Sequence, residues 1–336
     1  MTRSRLAVSL SLSVAVVGSV AALGAFYLDP ARASVGPLPA EAMVLPADTS
    51  FVMGLDVKRF TASTFYQKYG HKGAAAHPEA FAELEDKTGI DPERDLDSVV
   101  VAGNKLTGQE DSGLVFVTGT LDRAKLGHVI ESKHGVTWKK QGGTTLYLFR
   151  EGARGAGAGA FLDDRTLVIG RQASVEAVIA SHAQGGRSLR QNAALMDLLG
   201  KVRPGSTFWM VGDQTLLARL PRSMPAPGAA PGDGASVTLP ALQSLTVTGD
   251  LDPEVAIQAT GQASDEAAAK NLADVVRGFA ALVALQASQK PELKEMAKAI
   301  TITTEANEVH LSARFPYAML EALQPGRAAG ATPDPR

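Results

Sequence analysis

The chain has 336 residues, 45% hydrophobic and 20% charged, which suits one large globular domain or two ordinary ones with a sizeable core. Its 33 basic and 35 acidic residues leave a net charge of −2, so no basic excess points to nucleic acid. The absence of Cys excludes disulfides, thiolate metal sites, a cysteine nucleophile and a lipidated cysteine.

The N-terminus opens with Arg3 and Arg5, and from Leu6 to Leu28 there are 23 residues without a charge. That length crosses a bilayer core as a helix, and arginines ahead of it favour export of the chain beyond it. Ala31 and Ala33 form an A-x-A-like cleavage site. Residues 1–33 are therefore expected to be either a cleaved signal peptide or an uncleaved transmembrane anchor, with 34–43 as a linker. The body beyond residue 33 carries 30 basic and 34 acidic residues, a net charge of −4. It has no electrostatic pull toward anionic lipid. Any contact with the inner membrane is expected through residues 6–28, and the protein is expected to be extracytoplasmic, periplasmic or secreted.

From residue 44 the chain writes one pattern twice. "PADTSFVMGLD" from Pro46 is matched by "PGSTFWMVGDQ" from Pro204, with Thr and Gly at equal distances from the Pro, an offset of 158. The extended runs 98–103 and 113–119 correspond to 244–250 and 254–261. Each second run leads to a helix, capped by Asp122 in one half and by Ser264 in the other, 142 residues apart. The same offset places "FLDDRTLVIG" (161–170) over 303–312, two short strands about a polar turn, with Leu167 and Ile169 over Val309 and Leu311.

This predicts two related α+β modules of antiparallel sheet with helices packed on one face, residues 44–200 and 201–324. The first adds helical sequence at 78–89 and strands over 136–150. The second carries a Pro/Gly-rich stretch, 221–240, expected to be flexible, and a long amphipathic helix from 264 to 289 ended by Pro291. Residues 325–336 read as a disordered tail.

Motifs for chemistry are sparse. The histidines (71, 77, 128, 134, 182 and 310) lack metal-ligand spacing. Asp91, Glu93, Asp95 and Asp97 alternate like a calcium loop, but Leu96 and Ala102 occupy the positions that need Gly and Glu. Asp91 with Pro92 reads instead as a helix start. "GARGAGAGAF" (152–161) has the glycines of a phosphate loop yet joins strand to strand, so it reads as a hairpin connection. No G-x-S-x-G elbow occurs. Aromatic and Met residues at 51–53 and 208–210 read as core rather than a ligand platform. No catalytic, metal or cofactor site is assigned from the sequence.

"LPADTSFVMGLDV", "TGIDPERDLDSVVVAG" and "FLDDRTLVIG" together resemble a loose group of exported or membrane-anchored bacterial proteins to which no reaction is assigned. The resemblance covers residues 44–182 and, through the duplication, 244–323. It adds to the export and non-enzyme readings. The duplicated modules, offering a broad surface or a cleft at their junction, make the expected role that of an envelope protein that binds a partner or acts as a scaffold. Two alternatives stay open. One is a carrier of an apolar ligand or lipid, held in a cavity under the helix 264–289 and lined by Phe279 and Leu282. The other is a hydrolase whose polar groups converge in a cleft between the modules.

Overall fold

A computed structural model describes residues 40–70, 88–104, 113–132, 135–151, 155–184, 187–220, 223–225, 236–286 and 291–322. The N-terminal span, the helical sequence at 78–87 and the C-terminal tail lie outside the described residues. Among the described residues no helix is long and apolar enough to cross a membrane.

Module 1 contributes β1 (Phe51–Asp56), α1 (Val57–Ala62), α2 (Pro92–Asp95), β2 (Leu96–Gly103), β3 (Leu114–Gly119) and α3 (Arg123–Glu131). It continues with β4 (Val136–Gln141), β5 (Thr144–Glu151), β6 (Gly155–Phe161), β7 (Thr166–Arg171), α4 (Gln172–Gln184) and α5 (Ala193–Gly200). Module 2 contributes β8 (Phe208–Asp213), α6 (Gln214–Leu217), β9 (Ser223–Pro225), β10 (Ser236–Thr238), β11 (Leu242–Asp250) and β12 (Val255–Ala263). It ends with α7 (Glu266–Gln286), α8 (Pro291–Lys298), β13 (Ile300–Glu305), β14 (Glu308–Phe315) and α9 (Tyr317–Ala322). The class is α+β.

The two modules share one antiparallel sheet of 12 strands, ordered β13-β14-β12-β11-β8-β1-β2-β3-β7-β6-β5-β4. They meet where β1 pairs with β8. Read outward from that seam, β1-β2-β3-β7-β6 and β8-β11-β12-β14-β13 follow the same path. Both opening strands begin with Phe and end in an Asp that caps the next helix: Asp56 accepts from Arg59 N, and Asp213 from Thr215 N and Leu216 N.

Phe51 and Phe208 are thus equivalent at an offset of 157, one less than the Pro and Thr spacing, because the turn before β8 is one residue shorter. That one residue matters, since a slip of one turns every side chain of a strand to the other face. At the corrected offset Met53 is equivalent to Met210, and the two are paired with each other. The local two-fold relating the modules passes through that pair. Three further features repeat. Phe51 lies opposite Gly103 as Phe208 lies opposite Gly249, and a Cβ on Gly249 would come 2.2 Å from the Phe208 ring. Register shifts fall at Leu96/Ser98 and at Leu242/Ser244. The offset at β7 and β14 stays at 142, since Thr166 and Glu308 open those strands.

The register also fixes faces. Val52 and Ala102 in one cross-strand row, and Val100, Phe116, Val168 and Ala160 in the next, lie on the same side of module 1 and define face A. These side chains are buried beneath Val175, Val178 and Ile179 of α4 and Leu195, Leu198 and Leu199 of α5. The turn Ala40–Val44 joins this core through fully buried Ala42. The folded body therefore starts inside the segment read as linker.

In module 2 the row of Val52 continues through Val211, Thr246, Thr260, His310 and Thr303. Its core lies on face B, where Val247, Ile257, Ala259, Ala313 and Phe315 pack with Met296 of α8, and Val309 with Ala269, Leu272 and Ala273 of α7. Face B of module 1 is covered at its outer end by α3, whose buried Leu126 clusters with Tyr147, Phe161 and Leu167.

Several local expectations change. Gly155–Phe161 is itself strand β6 rather than a hairpin connection. Ala158 and Ala160 are fully buried on face A beneath α4. On the other face Gly157 leaves space for the Phe149 ring, which a Cβ would approach to 2.7 Å. Within 221–240, β9 and β10 pair as a two-stranded ribbon rather than remaining without secondary structure. The cap of α7 is Asp265, whose Oδ1 accepts from Ala268 N at 2.8 Å; Ser264 donates its hydroxyl to the same carboxylate. Asp265 titrates below the usual carboxylate range because it holds that backbone N–H and the Ser264 hydroxyl.

Candidate functional site

A cleft of about 420 Å3 lies on face A along the seam between the modules. Its floor is Gly54 of β1, Ser98 and Val100 of β2, and Trp209 of β8. Gly54 permits that floor, because a Cβ there would stand 2.3 Å from the Trp209 indole. One wall is Glu41 with Leu199 and Val202, and the other is the turn Arg203–Ser206 that leads into β8. Asp56, Lys58 and Asp97 line its rim.

Most of the polar groups are committed to the fold. Glu41 accepts the Thr118 hydroxyl at 2.6 Å. Asp56 is occupied by the α1 cap and by Arg59 Nε at 3.4 Å. Asp97 pairs with Arg165, and Lys58 donates to the Arg94 carbonyl. Arg203 pairs with Asp250, which also accepts from Thr207 N at 3.2 Å; Ser206 donates its hydroxyl to the Arg203 carbonyl at 2.9 Å. Arg203 Nε is buried without a hydrogen-bond partner. Gly205, at φ +75°, lets the turn pass beneath the Arg59 guanidinium, 3.2 Å from where a Cβ would stand.

This arrangement offers a polar ligand edge a place beside Trp209, and among the described residues no nucleophile in it is paired with a base. Ser98 and Ser206 have no imidazole near them: of the described histidines, His128 and His182 sit on α3 and α4, and His310 on β14. His310 Nδ1 lies 3.1 Å from Thr260 Oγ1, and its Nε2 is 3.6 Å from Glu308. The strongly displaced phenols lie outside the cleft. Burial, then the Glu93 carboxylate, pushes Tyr66 well above its ordinary range, and burial, then Asp252, pushes Tyr317 up to about 12. Both stay neutral donors at physiological pH.

The sequence candidates are dispersed. Asp91 caps α2 through Glu93 N and Arg94 N, with Pro92 in its first position. Asp95 accepts from Arg94 and Asp91 N, Glu93 accepts from Tyr66, and Asp97 turns to Arg165. The four carboxylates do not converge, and among the described residues no group of three His, Asp or Glu could hold a metal. His71, His77 and His134 lie outside the described residues.

Of the aromatic and Met clusters, Phe51 and Val52 are core, whereas Trp209 lines the cleft. The side chains of Phe279 and Leu282 lie outside the described residues. The N-terminal half of α7 packs directly on the sheet through Ala269, Leu272 and Ala273, and the cleft described above lies at the seam. Reading the sequence missed Glu41 and Arg203. The tight "VRPGS" turn before a strand was the only local sign of the latter.

No protein-family model and no curated protein matches this chain. Among solved structures it is similar to TP0453 in crystal form I, with TM-score 0.43 and 10% identity, and in crystal form IV, with TM-score 0.47 and 11% identity. Each of the two matches covers 86% of this chain and 96% of TP0453.

Proposed function

We propose that this chain is an exported or membrane-anchored envelope protein that acts without catalysis, holding a partner in the cleft at the seam of its two modules. One observation carries the reading: both modules supply the walls of that cleft, and its ionisable groups are spent on structure rather than poised against a nucleophile. Export is supported by Arg3 and Arg5 ahead of the uncharged run 6–28. If that run is uncleaved it holds the protein at the cytoplasmic membrane.

The test is photo-crosslinking in cells producing the full-length chain, with the reactive group at Pro204 on the exposed lip of the cleft. A discrete adduct is expected that Ser98→Tyr, which fills the floor, suppresses. An adduct of equal yield from a reactive group at Trp138, on the far edge of the sheet, would overturn the reading, as would no adduct. Native mass spectrometry of the purified chain separates the carrier alternative: a stoichiometric apolar ligand would replace the partner reading with carriage.

A further inference from the structure

The two outer edges of the sheet differ. In module 1 the strand equivalent to β13 is β6, and its outer side is covered by β5 and then β4. Among the described residues module 2 has no counterpart of that hairpin, and β13 ends the sheet. The β4 edge carries Lys139 and Lys140, the charged edge that discourages further pairing. β13 reads Ile-Thr-Ile-Thr-Thr-Glu, without Lys or Pro, and its register against β14 is unbroken.

Which backbone groups of β13 point outward follows from its hairpin. Glu305 and Glu308 close a two-residue turn, so that pair exchanges hydrogen bonds, and Thr303 and Thr301 also bond to β14. Ile300, Ile302 and Thr304 then direct their N–H and C=O groups away from the sheet. Arg277 of α7 already reaches one of these groups: its Nη2 donates to the Ile302 carbonyl at 3.1 Å, while its Nη1 holds Asp274 at 2.8 Å.

We infer that β13 pairs antiparallel with β13 of a second copy of this chain, about a two-fold axis through Ile302. Of the possible registers, this one uses all three outward residues. Ile302 meets its own copy, Ile300 meets Thr304, and on face A Thr301 meets Thr303, so β-branched residues oppose one another and no like charges do. The Ile302 N–H of the copy takes the place of Arg277 at the carbonyl. The released guanidinium and the exposed Asp274 can then alternate with those of the copy across the axis. The module already joins its own repeat in this way at the Met53–Met210 pair. An isologous contact of this kind closes as a dimer, and the lysines of β4 keep the opposite edge from extending it.

The test uses the full-length chain in sedimentation velocity, with Thr301→Lys/Thr303→Lys as the variant. Both positions are exposed on face A, so the variant keeps its fold, which an unchanged thermal melt verifies. The wild type is expected at twice its 35.0 kDa mass and the double variant at 35.0 kDa. Because the chain has no native Cys, oxidation of Thr301→Cys/Thr303→Cys reports register directly. The double-cysteine chain is expected to form a covalent dimer, and either single variant is not. A monomeric wild type, a dimer that survives the two lysines, or a dimer that the paired cysteines do not crosslink would each overturn the inference.

Discussion

Equivalent positions in the two modules differ in one systematic way. On face A, Val100 corresponds to Thr246, Phe116 to Thr260 and Val168 to His310, each apolar side chain of module 1 replaced by a polar one. On face B both partners stay apolar, as Val101 with Val247 and Ile169 with Leu311. Module 1 lays α4 and α5 on face A, and module 2 lays α7 and α8 on face B. A sheet tolerates a helix layer on either side provided the covered face is apolar. The duplicated strands therefore kept their path and their pairing while the buried side changed. The seam cleft lies where the apolar half of face A gives way to the polar half, with Trp209 at the boundary beside Thr248.

The largest test of this comparison removes one aromatic from each core. Phe116→Ala on face A and Phe315→Ala on face B, both fully buried, are each expected to cost about 3–5 kcal/mol. Because the sheet is continuous, both are expected to lower one shared denaturation transition. Separate transitions for the two variants would mean that the modules are independent folding units. Thr260→Ala, at the position equivalent to Phe116, is expected to change stability by less than ~1 kcal/mol in the same urea titration.

A smaller effect sharpens the contrast at β6. Ala160→Leu forces a larger side chain under α4 and is expected to cost about 1–3 kcal/mol. Its counterpart Thr303 is exposed, so Thr303→Leu is expected to stay within about 0.5 kcal/mol of the parent. Equal losses would show that face A of module 2 is covered like that of module 1.

The smallest expected effect concerns the start of α7. Asp265→Ala is expected to lower the melting temperature, and Ser264→Ala to do so less, because the carboxylate is the group that accepts Ala268 N. Asp265 has a depressed folded pKa, so its contribution is complete above the unfolded carboxylate pKa of ~3.9 and is lost as pH falls through the lower folded value. The melting difference between parent and Asp265→Ala should therefore be full at neutral pH and vanish in acid. A difference that persists below roughly pH 2 would assign the effect to helix propensity instead.

Much of this fold is written locally. Apolar runs in β2 and β3 announce strands, and the alternation of β12 announces one covered on a single face. Asp56, Asp91, Asp122 and Asp213 mark helix starts because a side-chain oxygen next to the first turn satisfies N–H groups that have no other partner. The element order of the duplication is legible for the same reason, since turns and caps are short-range chemistry.

Other features needed partners distant in sequence. A run of Gly and Ala at 155–160 has little strand preference of its own, and it becomes β6 because Phe149 and α4 fill the space its small residues leave. The offset of 157 rather than 158, the joining of the modules in one sheet and the burial of opposite faces all depend on cross-strand register, which the alternation within one strand cannot fix. The cleft belongs to this second class. Glu41, Gly54, Ser98, Arg203 and Trp209 are scattered over 169 residues of chain, and only the pairing of β1 with β8 brings them to one place. The sequence by itself determined the elements and their repetition, because these rest on contacts within a few residues. The tertiary structure decided which face is buried and where a ligand can sit, because both depend on which strand lies beside which.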